Sequence, residues 1–282
     1  MTFIFLFEIC ISELHSQVPA SVHHADSLMK AGLYEEACLE YLRIQYESSD
    51  LEQNNLLLYR QAEALKMMGK YKNAFETLQK ADFSIMPDSL HFLFRQQLSL
   101  NAYLSGDFTE AISQITQCRF FLQDTAYYKS LLPVLILSLN ELSKYQEAKA
   151  AALEYASWLE LNDTNCQSFR EKINELYTKK NLPSIKNPDR AETMSAILPG
   201  LGHIYAGYPE EGILSFTIIA GSLTAGIYGI FKKYYFTGYF IGLSMFQKFY
   251  FGGIRRAHQL AEKHNALKTE AFNLRIRQLL FQ

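Results

Sequence analysis

The sequence predicts an all-α protein in two parts, a helical repeat array followed by a pair of helices apolar enough to cross a bilayer. Three observations carry this. A six-residue pattern recurs four times at constant spacing, the 20 residues from Gly212 through Phe231 carry no charge, and a stretch with Pro183 and Pro188 separates the two regions. The chain has 282 residues, enough for two domains.

The amino terminus comes first. Thr2 to Ile11 is mostly apolar and Ser12 to Gln17 turns polar, an order that resembles a secretory signal over residues 1–17. No Lys or Arg precedes the apolar stretch and Glu8 interrupts it, so a ragged first helix is the alternative. Cys10 follows Phe7-Glu8-Ile9, which departs from the small-residue pattern of a lipoprotein cleavage site.

Residues 18–180 form the array. Its motif is a small residue, any residue, an aromatic, two variable positions and an alanine: Gly32, Tyr34 and Ala37; Gly69, Tyr71 and Ala74; Gly106, Phe108 and Ala111; Ser143, Tyr145 and Ala148. Each instance follows the previous one by 37 residues. Four positions before the turn residue stand Leu28, Leu65, Ala102 and Leu139, and seven before it Ala25, Ala62, Ser99 and Ile136, which makes one helical face. Each unit is therefore a pair of antiparallel helices that buries its apolar face only against its neighbours. Glycine suits the end of the first helix because it accepts positive φ, and Ser143 is expected to need a slightly different turn. Pro133 falls within the first helix of unit four and is expected to kink or restart it. Phe169, Ile173 and Leu176 lie at helical spacing, as in a helix that caps the end of an array.

This pattern resembles the tetratricopeptide repeat family. The resemblance covers about residues 22–161 and implies a tetratricopeptide-like α-solenoid whose groove takes a peptide or partner helix. The interval of 37 departs from the family's usual spacing of about 34, so longer helices or loops, for instance around Ser48-Ser49-Asp50 and Met86-Pro87-Asp88, must take up the difference. Arg60, Arg95, Gln96 and Asn101 are the candidate groove residues; each also fits an ordinary solvated position.

Residues 181–193 read as a linker and 194–254 as a membrane domain. At about 1.5 Å per residue, the helix from Gly212 to Phe231 matches a hydrocarbon core of about 30 Å. A second apolar run extends from Tyr234 to about Gly253 and contains Lys248 near one end, where its stem can carry the charge to the interface. The two runs predict a two-helix transmembrane hairpin with its turn at Lys232-Lys233. Gly221, Ala225 and Gly229, with Gly238 and Gly242, place small residues at four-residue spacing where two helices can approach closely in lipid.

Just before the first run stands Ser195-Ala196-Ile197-Leu198-Pro199-Gly200-Leu201-Gly202-His203-Ile204-Tyr205-Ala206-Gly207. It is similar to the P-G-L-G-Q-x-Y signature of a bacterial two-helix membrane domain of unknown function. The match lies at Pro199, Gly200, Leu201, Gly202, Tyr205 and Gly207, with His203 where glutamine is usual. The resemblance covers about residues 191–265 and implies membrane residence, in a bacterial inner membrane, but no reaction. His203 titrates near neutral pH and is a candidate ligand or proton-responsive group; as a lone histidine it also fits a hydrogen-bonded structural role. The tail, 255–282, is basic and amphipathic, suited to an anionic lipid surface or to packing back on the array.

Sidedness draws on two opposed signals. Lys232 and Lys233 at the turn against Arg255, Arg256, Lys263 and Lys268 after the second run favour cytoplasmic termini. The signal-like segment favours an extracytoplasmic array, and that is the reading adopted.

Composition narrows the role. A net charge of -2 leaves no basic excess for a phosphate backbone, so nucleic acid is not an expected partner. Cys10, Cys38, Cys118 and Cys166 lie too far apart for a zinc knuckle or redox pair and read as structural thiols. No phosphate-cradling loop, zinc-protease helix or nucleophile elbow occurs, and the pair Gly200-x-Gly202 is too short for a dinucleotide fingerprint. No cofactor, metal or catalytic residue is expected. The expected function is a non-enzymatic, membrane-anchored protein-interaction adaptor of the bacterial cell envelope. The alternatives are an accessory factor for membrane-protein insertion or transport, and an enzyme using His203.

Overall fold

The structure is a computed structural model that describes residues 20–48, 50–159 and 163–281. The signal-like segment 1–17, with Cys10, lies outside them. All regular elements are helical, with no strand among the described residues. The chain divides into two compact units, one ending at Tyr177 and one beginning at Thr178.

The first unit holds α1 (Ala20–Lys30), α2 (Tyr34–Glu47), α3 (Leu51–Met67), α4 (Tyr71–Leu78), α5 (Asp88–Leu104), α6 (Phe108–Phe121), α7 (Thr125–Ser130), α8 (Leu132–Glu141), α9 (Tyr145–Trp158) and α10 (Asp163–Leu176). A short 3₁₀ turn at Phe83–Ile85 precedes α5. Each helix packs on the next along the chain, and α6 also packs on α8 across the short α7.

The repeated motif occupies the same structural place four times. Its aromatic is the first residue of α2, α4, α6 and α9, and its alanine (Ala37, Ala74, Ala111, Ala148) is fully buried. Its turn residue closes the preceding helix with a fixed pair of bonds. Gly32 N donates to Met29 O at 3.1 Å and Leu33 N to Leu28 O at 3.0 Å; Ser143 N donates to Asn140 O at 2.9 Å and Lys144 N to Leu139 O at 2.8 Å. Gly69 and Gly106 repeat the pattern. This closure needs a left-handed residue, and the four φ values are 79°, 72°, 85° and 58°. Ser143 therefore takes the same turn as the glycines, contrary to expectation, because the two bonds outweigh the strain of one Cβ. A Cβ built on Gly32, Gly69 or Gly106 meets no atom within 4 Å, so these glycines answer to φ and not to crowding.

Helix length accommodates the wide repeat interval, since α3 and α5 are each 17 residues long. Asp50 caps α3 by accepting from Glu52 N at 3.0 Å. The restart expected at Pro133 occurs: α7 ends at Ser130, and α8 begins at Leu132 with the proline in its first turn, where a missing donor costs nothing. In α10, Ile173 is fully buried with Phe169 and Leu176 half-buried beside it.

The second unit holds α11 (Pro188–Ile197), α12 (Leu201–Tyr205), α13 (Pro209–Phe231), α14 (Tyr235–Thr237), a π-helical segment (Gly238–Leu243) and α15 (Ser244–Leu280). The linker reading of 181–193 is too long. Asn187 caps α11 by accepting from Arg190 N at 2.9 Å and Pro188 supplies a helix-ready φ, so helix begins there. Ala191, Ala206, Ala257, Leu260 and Ala261 form the core of this unit, with Tyr205 and Tyr208 packed against it.

Among the described residues one helix, Pro209–Phe231, is long and apolar enough to cross a membrane. The second run expected from Tyr234 to Gly253 is not a separate helix of that kind. It is divided among α14, the π segment and the start of α15, which runs on for 37 residues through the expected boundary at 254. No proline stops it, and the residues beyond Arg255 are good helix formers. Of the tail's apolar positions, Leu260, Phe272, Ile276 and Leu279 are buried and Leu267 is exposed.

Close approach of glycines joins α13 to the π segment. A Cβ on Gly238 or Gly229 would crowd the other's backbone, and a Cβ on Gly242 would overlap Gly226. The contacts run in opposite order along the two segments, so the chain reverses at the turn where Lys233 takes φ 63°. Of the expected small-residue face, Gly229, Gly238 and Gly242 are in the contact, whereas Gly221 faces open space and Gly226, in its place, is buried.

Candidate binding surfaces

In the first unit, polar side chains of α1, α3 and α5 meet one another and, at Tyr41, a side chain of α2. Tyr41 Oη donates to Asp26 Oδ1 at 2.6 Å, Arg60 lies 4.0 Å from Asp26 and 3.6 Å from Glu63, and Lys66 Nζ donates to Gln97 Oε1 at 2.9 Å. Burial pushes the Glu63 carboxyl above its ordinary range against the pull of Arg60 and Lys66. The four candidate groove residues divide. Arg95 is buried, donates to Gln114 and lies over the Phe83 ring at 4.3 Å, so it holds α5, α6 and the 3₁₀ turn together and is not a free groove cation. Asn101 is also buried and donates to Gln97 O at 2.8 Å, but its Oδ1 has no hydrogen-bond partner. Gln96 Oε1, Asn54 Oδ1 and Arg60 Nε are likewise buried atoms without one. A buried polar atom left unsatisfied costs about 1–3 kcal/mol, which a ligand's backbone can relieve. Arg60, Gln96 and Asn54 are half-buried and Asn101 is buried, so Asn101 offers no surface of its own; no sequence signal marked Asn54 among the many polar residues of α3.

In the second unit, the signature residues converge on the joint between α11, α12 and α13. Pro199-Gly200 breaks the helix after Ile197, and Gly200 starts α12 at φ 85°. A Cβ on Gly200 would overlap the Gly212 carbonyl, and one on Gly202 would overlap the carbonyl of Ala191. Gly202 N donates to Ser195 Oγ at 3.1 Å, and the same hydroxyl lies 3.5 Å from His203 Nδ1. Tyr205 Oη accepts from Asn187 N at 3.2 Å, with Lys186 at 5.1 Å over its ring. Gly207 takes φ 96° beside His264 and ends α12 with the bond pair seen at the repeat turns. Ser195 and Gly212 were not singled out in the sequence, although each flanks the signature and is as tightly placed as its members.

His203 is 2% exposed. Burial pushes its imidazole below the ordinary histidine value and so favours the neutral ring, while the charge of Glu211 pulls the other way. Neutral, and beside a hydroxyl that already accepts from Gly202, it fits a structural hydrogen-bonding role. It is one of the residues lining a cleft of about 370 Å³ between α13 and α15, with Glu211, Leu214, Lys248, Gly252 and Arg256. Arg256 Nε and Nη2 donate to Glu211 at 3.0 and 3.2 Å, which ties α15 to the start of α13.

Two further groups bind α15 to the segments before α12. Asn265 accepts from Lys186 N and donates to Lys186 O, both at 2.7 Å. His258 faces Glu192 at 3.2 Å and Asp189 at 3.8 Å through Nδ1, and Glu262 at 3.5 Å through Nε2. Asp189, Glu192 and His258 bring three donor atoms within 4.8 Å of one another and are the residues here able to share a cation; Asp189, 88% exposed, stays solvated without one. Of the thiols, Cys118 is buried and pushed up to about 11 by that burial, the state of an unreactive core cysteine. No protein-family model, curated protein or solved structure matches this chain.

Proposed function

We propose that this protein is a non-enzymatic adaptor in which a tetratricopeptide-like α-solenoid is held at a bacterial membrane by a two-helix transmembrane hairpin. The observation that carries the reading is α13. Only 11% of its most apolar 18 residues are buried, so most of its side chains lack the cover that a core helix's have. Ile213, Leu214, Phe216, Ile227 and Phe231 point outward from it, and Phe236, Tyr239 and Phe240 from the returning segment. In water such a surface invites association; in a bilayer it is the ordinary outer surface of a span. Tyr228, Tyr234 and Tyr235 gather near the Lys232-Lys233 turn, where amphipathic rings suit an interface. The part-exposed polar side chains of Arg60, Gln96 and Asn54 on α3 and α5 are the groups this reading offers to a protein or peptide partner. The array is read as extracytoplasmic, in the cell envelope.

The test uses the full chain in bacterial cells, with a photoreactive residue at Gln96 or, as control, at the exposed Gln146. Sedimentation with membranes through alkaline washing and a discrete crosslinked product from position 96 alone are the expected results. Release into the alkaline wash overturns the anchor, and identical crosslinking from both positions overturns the groove.

A further inference from the structure

We propose that the cleft between α13 and α15 binds the headgroup phosphate of an anionic phospholipid, with Lys248 and Arg256 as its cations and Gly252 as the gap between them. This rests on the membrane reading of α13. Lys248, Gly252 and Arg256 are four apart and so share one face of α15, spanning about 12 Å along its axis. Gly252 is exposed and a Cβ built on it meets nothing within 4 Å, so the space between the two cations is empty of protein. The polar groups are not balanced. Arg256 is matched by Glu211 through Nε and Nη2, which leaves Nη1 for another acceptor. Lys248 enters no ion pair with a described residue, although it stands inside the second apolar run. A lysine at that depth extends its stem toward the interface, and both Lys248 and Arg256 line the cleft.

The level of the cleft selects a lipid over a soluble phosphate. Arg256 sits opposite Glu211, and Gly253 opposite Ser215, so the cleft opens where the uncharged run of α13 begins. Leu214, Ile218 and Phe249 supply apolar walls that suit the glycerol end of acyl chains, whereas a free phosphate has no use for them. Basic pockets between membrane helices hold anionic headgroups in this way.

The experiment is native mass spectrometry of the detergent-solubilised full chain with phosphatidylglycerol or phosphatidylcholine. The wild type should retain phosphatidylglycerol preferentially, and Lys248→Gln and Gly252→Leu should each reduce that preference about fivefold, the value of one cation near an anionic lipid. Equal retention of the two lipids by the wild type, or an unchanged preference in Lys248→Gln, overturns the proposal; if Gly252→Leu loses helical circular dichroism, Lys248→Gln alone decides. Displacement of bound lipid by glycerol 3-phosphate reassigns the site to a soluble phosphate and overturns the lipid. Flotation with phosphatidylcholine vesicles separates the two ideas: flotation without headgroup preference sinks this proposal alone, and failure to float sinks the membrane reading with it.

Discussion

Gly200 and Gly212 meet backbone to backbone, and a Cβ on either would run into the other's carbonyl. The contact joins the turn before α12 to the first turn of α13, so two main chains lie closer than any side chain permits. Alanine at either position should cost about 1–3 kcal/mol through overpacking. Gly200→Ala should cost more, since its φ of 85° adds backbone strain. Gly221→Ala, facing open space in α13, should stay within about 0.5 kcal/mol. Thermal unfolding of the three variants in one detergent checks the order, and equal melting temperatures would refute the interlock.

Ser143 offers the converse test. It holds φ 58° where its three counterparts are glycines, so Ser143→Gly should stabilise the first unit by about 0.5–1 kcal/mol. Gly69→Ala should destabilise by a similar amount even though its Cβ would touch nothing. Urea unfolding monitored by circular dichroism reads both signs. If Ser143→Gly is the less stable protein, the turn owes more to the serine hydroxyl than to φ.

Asn265 ties α15 to the segment before α11 with one bond given and one received at Lys186. Asn265→Ala leaves both backbone groups without it and should cost about 1–3 kcal/mol. Hydrogen exchange localises the effect: the Lys186 amide should lose protection while amides in the middle of α13 keep theirs.

His203 imposes a pH dependence of predictable sign. Its folded value lies below the ordinary 6.5, so the unfolded chain binds more protons in the interval between the two values. Stability from this group is full above about 6.5 and falls as pH drops through that interval, reaching its floor below the folded value. His264, also lowered by burial, acts in the same direction. His203→Gln should therefore flatten, without abolishing, the loss of melting temperature on acidification. An unchanged slope in that variant would show that the titration of this histidine does not change on folding.

The repeat turns show why so much of the first unit was legible. A left-handed closure tolerates few residues, a close helix contact demands a small one, and both constraints recur at a fixed interval, so Gly32, Ala37 and their equivalents stand out in a linear text. The apolar run of α13 was legible for a similar reason, because composition over some 20 residues identifies a segment that has no need of water. Candidate binding residues were less so. Arg95 and Asn101 looked alike as polar residues of one helix, yet Arg95 is consumed by Gln114 and Phe83 while Asn101 keeps an unsatisfied oxygen.

Periodicity by itself determined the helical class and the turn positions, and composition the first of the two expected apolar runs, because those follow from forces acting between residues close in the chain. Tertiary structure alone decided that Gly226 and not Gly221 meets the returning segment, that α15 runs unbroken past Gly253, and that Lys248 and Arg256 flank one cleft. Such choices depend on which distant surfaces meet, and contacts between residues far apart in the chain leave no period in it to be read.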